Sequence, residues 1–309
     1  MPDPLEALTA EEVDGVRRLV AAAAAVDGGE PLSEDARLAL GPPSPGVRHL
    51  LLPAADGSLA GYAQVGARPG DDGGPDGVTA ELLVAPALRG RGRGSALAAA
   101  VEEVAAGLAA GPVRVWSHAD APQTAAAAAA LAARRSYRLA RELWQMARAL
   151  GPGAPALPPL VVPDGVRVRA FEVGRDEDAW LAVNARAFAA HPEQGRWTRE
   201  DLAARQAEPW FDPAGLLLAV DAGTGALLAS HWTKEHDEST GEVYVVGVDP
   251  DAQGRGLGSV VTLAGLHHLQ RRGKTVARLY VDGDNAAAQR TYARLGFARS
   301  AADVLYQRP

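Results

Sequence analysis

VGVDPDAQGRGLG, at Val246–Gly258, decides the fold because the chain carries it twice: LLVAPALRGRGRG stands at Leu82–Gly94. With Val84 laid on Val248, Pro86 falls on Pro250, Arg89 on Gln253, Gly92 on Gly256 and Gly94 on Gly258. Each copy starts in an apolar, β-prone run and passes into a helical pattern, Ser95–Leu108 in the first and Ser259–Arg271 in the second.

The repeat extends outward from these loops. Strand-like runs precede the first at Val47–Leu52, Leu59–Val65 and Val78–Val84, and the second at Leu216–Asp221, Leu227–Thr233 and Val243–Val248. A strand (Val113–Trp116; Val276–Val281), a helix and a last strand follow each. The Pro- and Gly-rich stretch Gly151–Gly165 opposes regular structure and reads as a linker. The expected organisation is α/β, of α+β type: two like domains at 1–150 and 166–309 joined by 151–165, each a mixed, largely antiparallel sheet flanked by helices. The alanine run Ala125–Ala130 reads as ordinary helix.

Arg/Gln-x-x-Gly-x-Gly at a strand-to-helix junction has a physical use. Glycines let backbone N–H groups converge on an anion, and the helix that follows adds its unpaired amides and positive dipole end. A pyrophosphate is the natural guest. The Rossmann spacing G-x-G-x-x-G is absent from both copies, and Gly273–Thr275 (GKT) lacks the upstream glycine of a Walker A loop because His268 stands there.

Composition narrows the class. A formal net charge of −7 argues against nucleic acid as the main partner. The chain has no cysteine, which excludes disulfides and thiolate metal sites and suits the cytoplasm. The opening MPDPLEALTAEEVDGVRRLV lacks the apolar core of a secretion signal, and no stretch is long enough to span a bilayer, so no membrane partner is expected. His231 and His236 read as polar loop residues and His267–His268 as helix surface, with no metal-binding spacing, so no metal is expected.

The loops resemble those of the GNAT acetyltransferase superfamily, [RQ]-x-x-G-x-[GA] after a bulged strand. The second half also carries NAAAQRTYARLGF, Asn285–Phe297, similar to that family's N-x-x-[AS]-x-x-x-Y-x-x-x-G-F signature. The resemblance implies acetyl-CoA as co-substrate. Its acetyl and pantetheine portions would be lined by Val246, Gly247 and Val248, its pyrophosphate by Gln253, Gly254, Arg255, Gly256, Leu257, Gly258 and Ser259, and its arm by Asn285, Ala286, Ala287, Ala288, Gln289 and Arg290. In the first half the matching positions are Leu82, Leu83, Val84, Arg89, Gly90, Arg91, Gly92, Arg93, Gly94 and Ser95. There the signature is lost: with Tyr137 on Phe297, Ala125 falls on Asn285 and Ala132 on Tyr292. The first half is expected to keep the cofactor loop without catalysing.

HPEQG (His191–Gly195), HWTK (His231–Lys234), GEVYVVGVD (Gly241–Asp249) and LYVDGDN (Leu279–Asn285) resemble the mycothiol synthase family of tandem GNAT enzymes. That resemblance implies a cysteinyl-glucosaminyl-inositol acceptor, contacted by Glu34, Glu193, Lys234, Glu242 and Tyr280. LSED at Leu32–Asp35 also reads as a plain helix N-terminus capped by Ser33.

Acetyl transfer to an amine needs a base, donors for the developing oxyanion and a proton for the leaving thiolate. The resemblance implies Glu242 as base and Tyr292 as acid. Period-2 alternation would turn Glu242 to the face of Val246 and Val248, and a backbone N–H near Val248, at the strand bulge, would polarise the thioester carbonyl. A strand-end surface carboxylate and a core tyrosine are the structural alternatives for these two residues. The functional alternatives are a tandem GNAT acting on another amine or a protein N-terminus, and a non-catalytic acetyl-CoA sensor. Keeping both Glu242 and Tyr292 argues against the sensor. The protein is expected to be monomeric.

Overall fold

A computed structural model describes residues 2–41, 44–69, 75–108, 111–118, 121–189 and 194–309. The chain divides into two compact units, each discontinuous in sequence: Met1–Trp144 with Asp282–Asp284 and Ala301–Pro309, and Gln145–Val281 with Asn285–Ser300.

The first unit opens with α1 (Ala10–Asp27) and α2 (Glu34–Leu38), followed by β1 (Val47–Pro53), β2 (Leu59–Pro69), β3 (Pro75–Val84), α3 (Arg93–Leu108), β4 (Val113–Ser117) and α4 (Pro122–Arg134). Strand β5 (Arg138–Ala149) then leads out of it. Thr9 and Glu12 start α1 as a reciprocal cap, and Gly28 ends it at φ +80. Strands β1, β2 and β3 are antiparallel, whereas β3 and β4 run parallel. One sheet face buries Tyr62 and Leu83 under α1 and α2, and the other buries Ala63, Val65, Ala80 and Val84 under α3. That split is the period-2 alternation of an uninterrupted pleat.

The second unit repeats the plan with β6 (Val166–Ala170), α5 (Glu177–Ala187), α6 (Arg199–Gln206), β7 (Leu216–Asp221), β8 (Leu227–Glu235), β9 (Thr240–Val248), α7 (Leu257–Arg271), β10 (Val276–Asp282) and α8 (Ala286–Arg294). Its sheet is antiparallel from β6 to β9 and parallel between β9 and β10. The final strand β11 (Ala298–Arg308) closes the other unit: Val304–Arg308 pair antiparallel with β4. The tail of β5, in turn, belongs to the second unit and neighbours β10. Each sheet is therefore completed by a strand from the far half of the sequence. Among the described residues no helix is long and apolar enough to cross a membrane.

Candidate active site

The second Gly-rich loop is built by local rules. Asp249 accepts from the Asp251 N–H at 2.9 Å and caps a short turn at Pro250–Ala252. The chain then passes through Gly254 and Gly256, at φ +77 and +74. A Cβ placed on either meets no atom within 4 Å, so the left-handed backbone, not crowding, calls for glycine, and the space before the loop is open. Gln253, Gly254, Arg255 and Gly256 are exposed, while Leu257 anchors the start of α7 in the core. Val260 N–H is bonded to Gly256 O at 3.2 Å, so the amides of Leu257, Gly258 and Ser259 before it crown the helix end, where an anion is stabilised.

The strand entering this loop carries the decisive irregularity. Val245 pairs with Trp232 of β8, yet Val243 pairs with Thr233, so Tyr244 is an extra residue and a β-bulge. Residues before and after a bulge exchange faces. Val246 and Val248 pack with Val261 of α7, whereas Trp232, Tyr244 and Val245 pack with Trp180 and Leu202, of α5 and α6. Glu242 lies opposite Lys234, whose ammonium sits 4.5 Å from the Trp210 ring and 5.1 Å from the Tyr244 ring, on that second side. The expectation that Glu242 shares the face of Val246 and Val248 is therefore overturned, and the bulge falls at Tyr244 rather than near Val248. Ladder pairing of β9 with β10 runs from Thr240↔Val276 to Val243↔Leu279, and β9 then continues to Val248. Tyr280 follows the last paired residue of β10 and is half-buried.

Glu242 and Lys234 are each 5% exposed, so two opposite charges face one another across a buried ladder. The side chain of His236 donates from Nε2 to Glu242 Oε2 at 2.5 Å. Aromatics surround the pair. Trp180, Trp197, Trp210, Phe211 and Tyr244 all pack on or around Trp232, and Arg205 lies 3.9 Å over Trp197 while donating to the Tyr244 hydroxyl at 2.9 Å.

On α8, Asn285 is the N-cap, its side-chain oxygen accepting from Ala288 N–H at 3.1 Å. Ala286 and Ala287 follow it exposed, with Ala288 and Gln289 half-buried and Arg290 exposed. Tyr292 is half-buried and packs edge-on against Phe297, and burial pushes its phenol up to about 12.

The first unit keeps the loop and loses the rest. Gly90 and Gly92 stand at φ +71 and +80, and a cavity of about 430 Å³ is lined by Leu82, Leu83, Val84, Arg89, Gly90, Gly92, Gly94 and Ser95. Arg91 and Arg93 are outside its lining. Arg89 turns inward: its guanidinium grips Asp27 at 2.6 and 2.7 Å, and its Nε donates to Val84 O at 3.1 Å. The Arg89 guanidinium is thus engaged by Asp27 rather than turned outward to the loop. Strand β3 has no bulge over Val78–Val84, and its ladder with β4 ends at Glu81↔Trp116. Ala125 and Ala132 lie on α4, whose N-cap Ala121 offers no side chain. Here Glu81 pairs at 3.5 Å with His118, which pairs at 3.2 Å with Asp303. Burial alone would depress His118, but the Glu81 charge and the hydrogen bond to Asp303 prevail and raise it to about 10.

Glu34 is the first residue of α2, where Ser33 caps the helix by accepting from Ala36 N–H at 3.1 Å. Ser33 N–H donates in turn to Glu81 at 2.7 Å. Glu193 and its neighbours His191 and Pro192 lie outside the described residues. The histidine readings need correction. His231 lies within β8 and is fully buried, its Nδ1 2.9 Å from Val261 O. It fits because Gly265 of α7 has no side chain; a Cβ there would stand 2.0 Å from His231 Nδ1. His268 is 8% exposed rather than on the helix surface. With Asp212 and Glu235 it forms a cluster of metal-ligand type, in which Glu235 pairs with Arg272 at 2.8 Å and Lys274 at 2.7 Å. His236, read as a polar loop residue, does lie in the turn after β8, but its contact with Glu242 was not foreseen. Its signal was the β8–β9 hairpin, which folds Glu242 back beside the turn.

Comparison with known proteins agrees with this geometry. The profile of the Acetyltransferase (GNAT) family matches residues 23–134 and again 180–297. A mycothiol acetyltransferase of Thermomonospora curvata is 52% identical over 98% of this chain and 96% of its own length. One from Nocardia farcinica is 53% identical over 97% and 95%. A solved tandem GNAT protein from the clavulanic acid biosynthesis pathway shares the fold at TM-score 0.74 and 22% identity, covering 99% of this chain and 97% of that one. The chain belongs to the GNAT acetyltransferase family, whose domain it contains twice, and within it to the tandem acyltransferases that include the mycothiol acetyltransferases.

Proposed function

We propose that the second unit transfers the acetyl group of acetyl-CoA to the cysteinyl amine of a cysteinyl-glucosaminyl-inositol. Residues 166–309 form the catalytic domain, 151–165 a linker, and 1–150 a domain that holds the cofactor without catalysing. The names of the relatives support the acceptor. The observation that carries the chemistry is the bulge at Tyr244, which turns Glu242 away from the α7 face while β9 and the Gly loop continue beyond it.

Bound acetyl-CoA supplies the acetyl thioester. Val246, Gly247 and Val248 line its arm along the edge of β9 freed from β10, and the amides of Gln253–Ser259 hold its pyrophosphate. A backbone N–H of that edge polarises the carbonyl. Glu242 takes a proton from the acceptor ammonium, whose ordinary pKa is about 8. The new C–N bond forms as the C–S bond breaks. Tyr292 donates a hydrogen bond to the departing sulfur. As general acid it gives its proton to the sulfur as the C–S bond breaks, and the second proton, shed by nitrogen as the amide forms, restores the phenol, which burial raises to about 12. Lys234, Tyr280 and Glu193 contact the hydroxyls and amide of the acceptor. No step requires a metal.

A thiol-release assay with acetyl-CoA and a panel of amines tests this reading. The cysteinyl-glucosaminyl-inositol should give the highest kcat/KM. Turnover with a polyamine or peptide N-terminus and none with this acceptor would reject it.

A further inference from the structure

The carboxylate of Glu242 is held by a residue whose own position is fixed by the hairpin. His236 follows the end of β8, and its backbone N–H donates to Thr240 O at 3.0 Å, closing the turn into β9. From there Nε2 reaches Glu242 Oε2 at 2.5 Å. The imidazole is 19% exposed and the carboxylate 7%, so the ring bridges the surface and a buried base.

The other charges around this pair are accounted for on each element. On β8, Lys234 stands opposite Glu242, and Glu235 is paired to Arg272 and Lys274. On β10, Arg278 is in register with Glu242. In the turn, Asp237 accepts from the N–H groups of Ser239 and Thr240, Glu238 is exposed, and Lys274 donates to Asp237 O at 2.6 Å. On the bulge, Tyr244 is bonded to Arg205. His236 thus contacts the Glu242 carboxylate directly, at 2.5 Å.

We propose that His236 is a positioning residue for Glu242: its Nε2–H fixes the carboxylate rotamer and leaves the second oxygen for the acceptor ammonium. This rests on Glu242 being the base. Removing the imidazole should therefore lower kcat while KM for acetyl-CoA holds, and a side chain that restores an N–H at similar reach should restore kcat, a pattern that a purely structural role would not produce.

The test compares His236→Ala, His236→Asn and His236→Gln in the full chain, with Glu242→Gln as reference. Acetyl-CoA and cysteinyl-glucosaminyl-inositol are the substrates. His236→Ala and His236→Asn should lower kcat about tenfold, with KM for acetyl-CoA unchanged. His236→Gln, which keeps an N–H at similar reach, should recover most of kcat. If His236→Ala does not fold, His236→Asn, too short to reach Oε2 but able to stay in the turn, decides the matter. Wild-type kcat in the short variants, with Glu242→Gln inactive, overturns the role of His236 alone. Full activity in Glu242→Gln instead removes the base itself.

Discussion

Glu242 and Val246, four positions apart on one strand, project to opposite faces of β9 because Tyr244 between them is an unpaired extra residue. The bulge separates Lys234 and the aromatic cluster from the α7 face that carries the Gly-rich loop. The first unit lacks this break, since β3 runs without a bulge over Val78–Val84.

The loop requires glycine at position 256 through its φ of +74. Gly256→Val strains that backbone and places a branched side chain before the pyrophosphate amides. KM for acetyl-CoA should rise tenfold or more, roughly, with a smaller change in kcat. A steady-state titration of acetyl-CoA checks this.

The close approach of α7 to β8 depends on Gly265. In Gly265→Ala the new methyl collides with the His231 ring, 2.0 Å from Nδ1. Overpacking of this kind destabilises by about 1–3 kcal/mol. A denaturant melt should show a lower midpoint with an unchanged slope.

Burial lowers His231 to about 4 from an ordinary 6.5. The unfolded chain therefore binds this proton below about 6.5 while the native protein does not until about 4. The associated stability is complete above 6.5 and falls away as pH drops to 4, a difference of about 3 kcal/mol. Urea melts from pH 7 to 4.5 should show His231→Asn with a shallower loss of stability than the parent, whatever its stability at pH 7.

With its phenol raised to about 12, Tyr292 does not ionise below pH 10. Tyr292→Phe should lower kcat about tenfold by removing the hydrogen bond to sulfur. It should leave any alkaline limb below pH 10 where it is. A limb that vanished in the variant would show that the phenol titrates in the working range.

The paired loops were legible because their conformation is local: glycines at positive φ, a capping aspartate and a following helix are set within a dozen residues. The loss of Asn285 and Tyr292 equivalents in the first half could be read by alignment alone. The bulge could not, since VYVVGV is an unbroken apolar run and only the β8 partner shows which residue is left over. His231 looked polar because its burial is created by Gly265, 34 positions later, and not by its own neighbours. The exchange of β5 and β11 leaves no trace in periodicity, because a strand looks the same whichever sheet it completes.

The most direct test of the account is the single-turnover rate of Glu242→Gln with saturating acetyl-CoA and cysteinyl-glucosaminyl-inositol. Removal of the base should lower the rate on the order of 10²-fold or more, with acetyl-CoA binding retained. A rate equal to the parent's would contradict the placement of the chemistry on the acceptor face of β9.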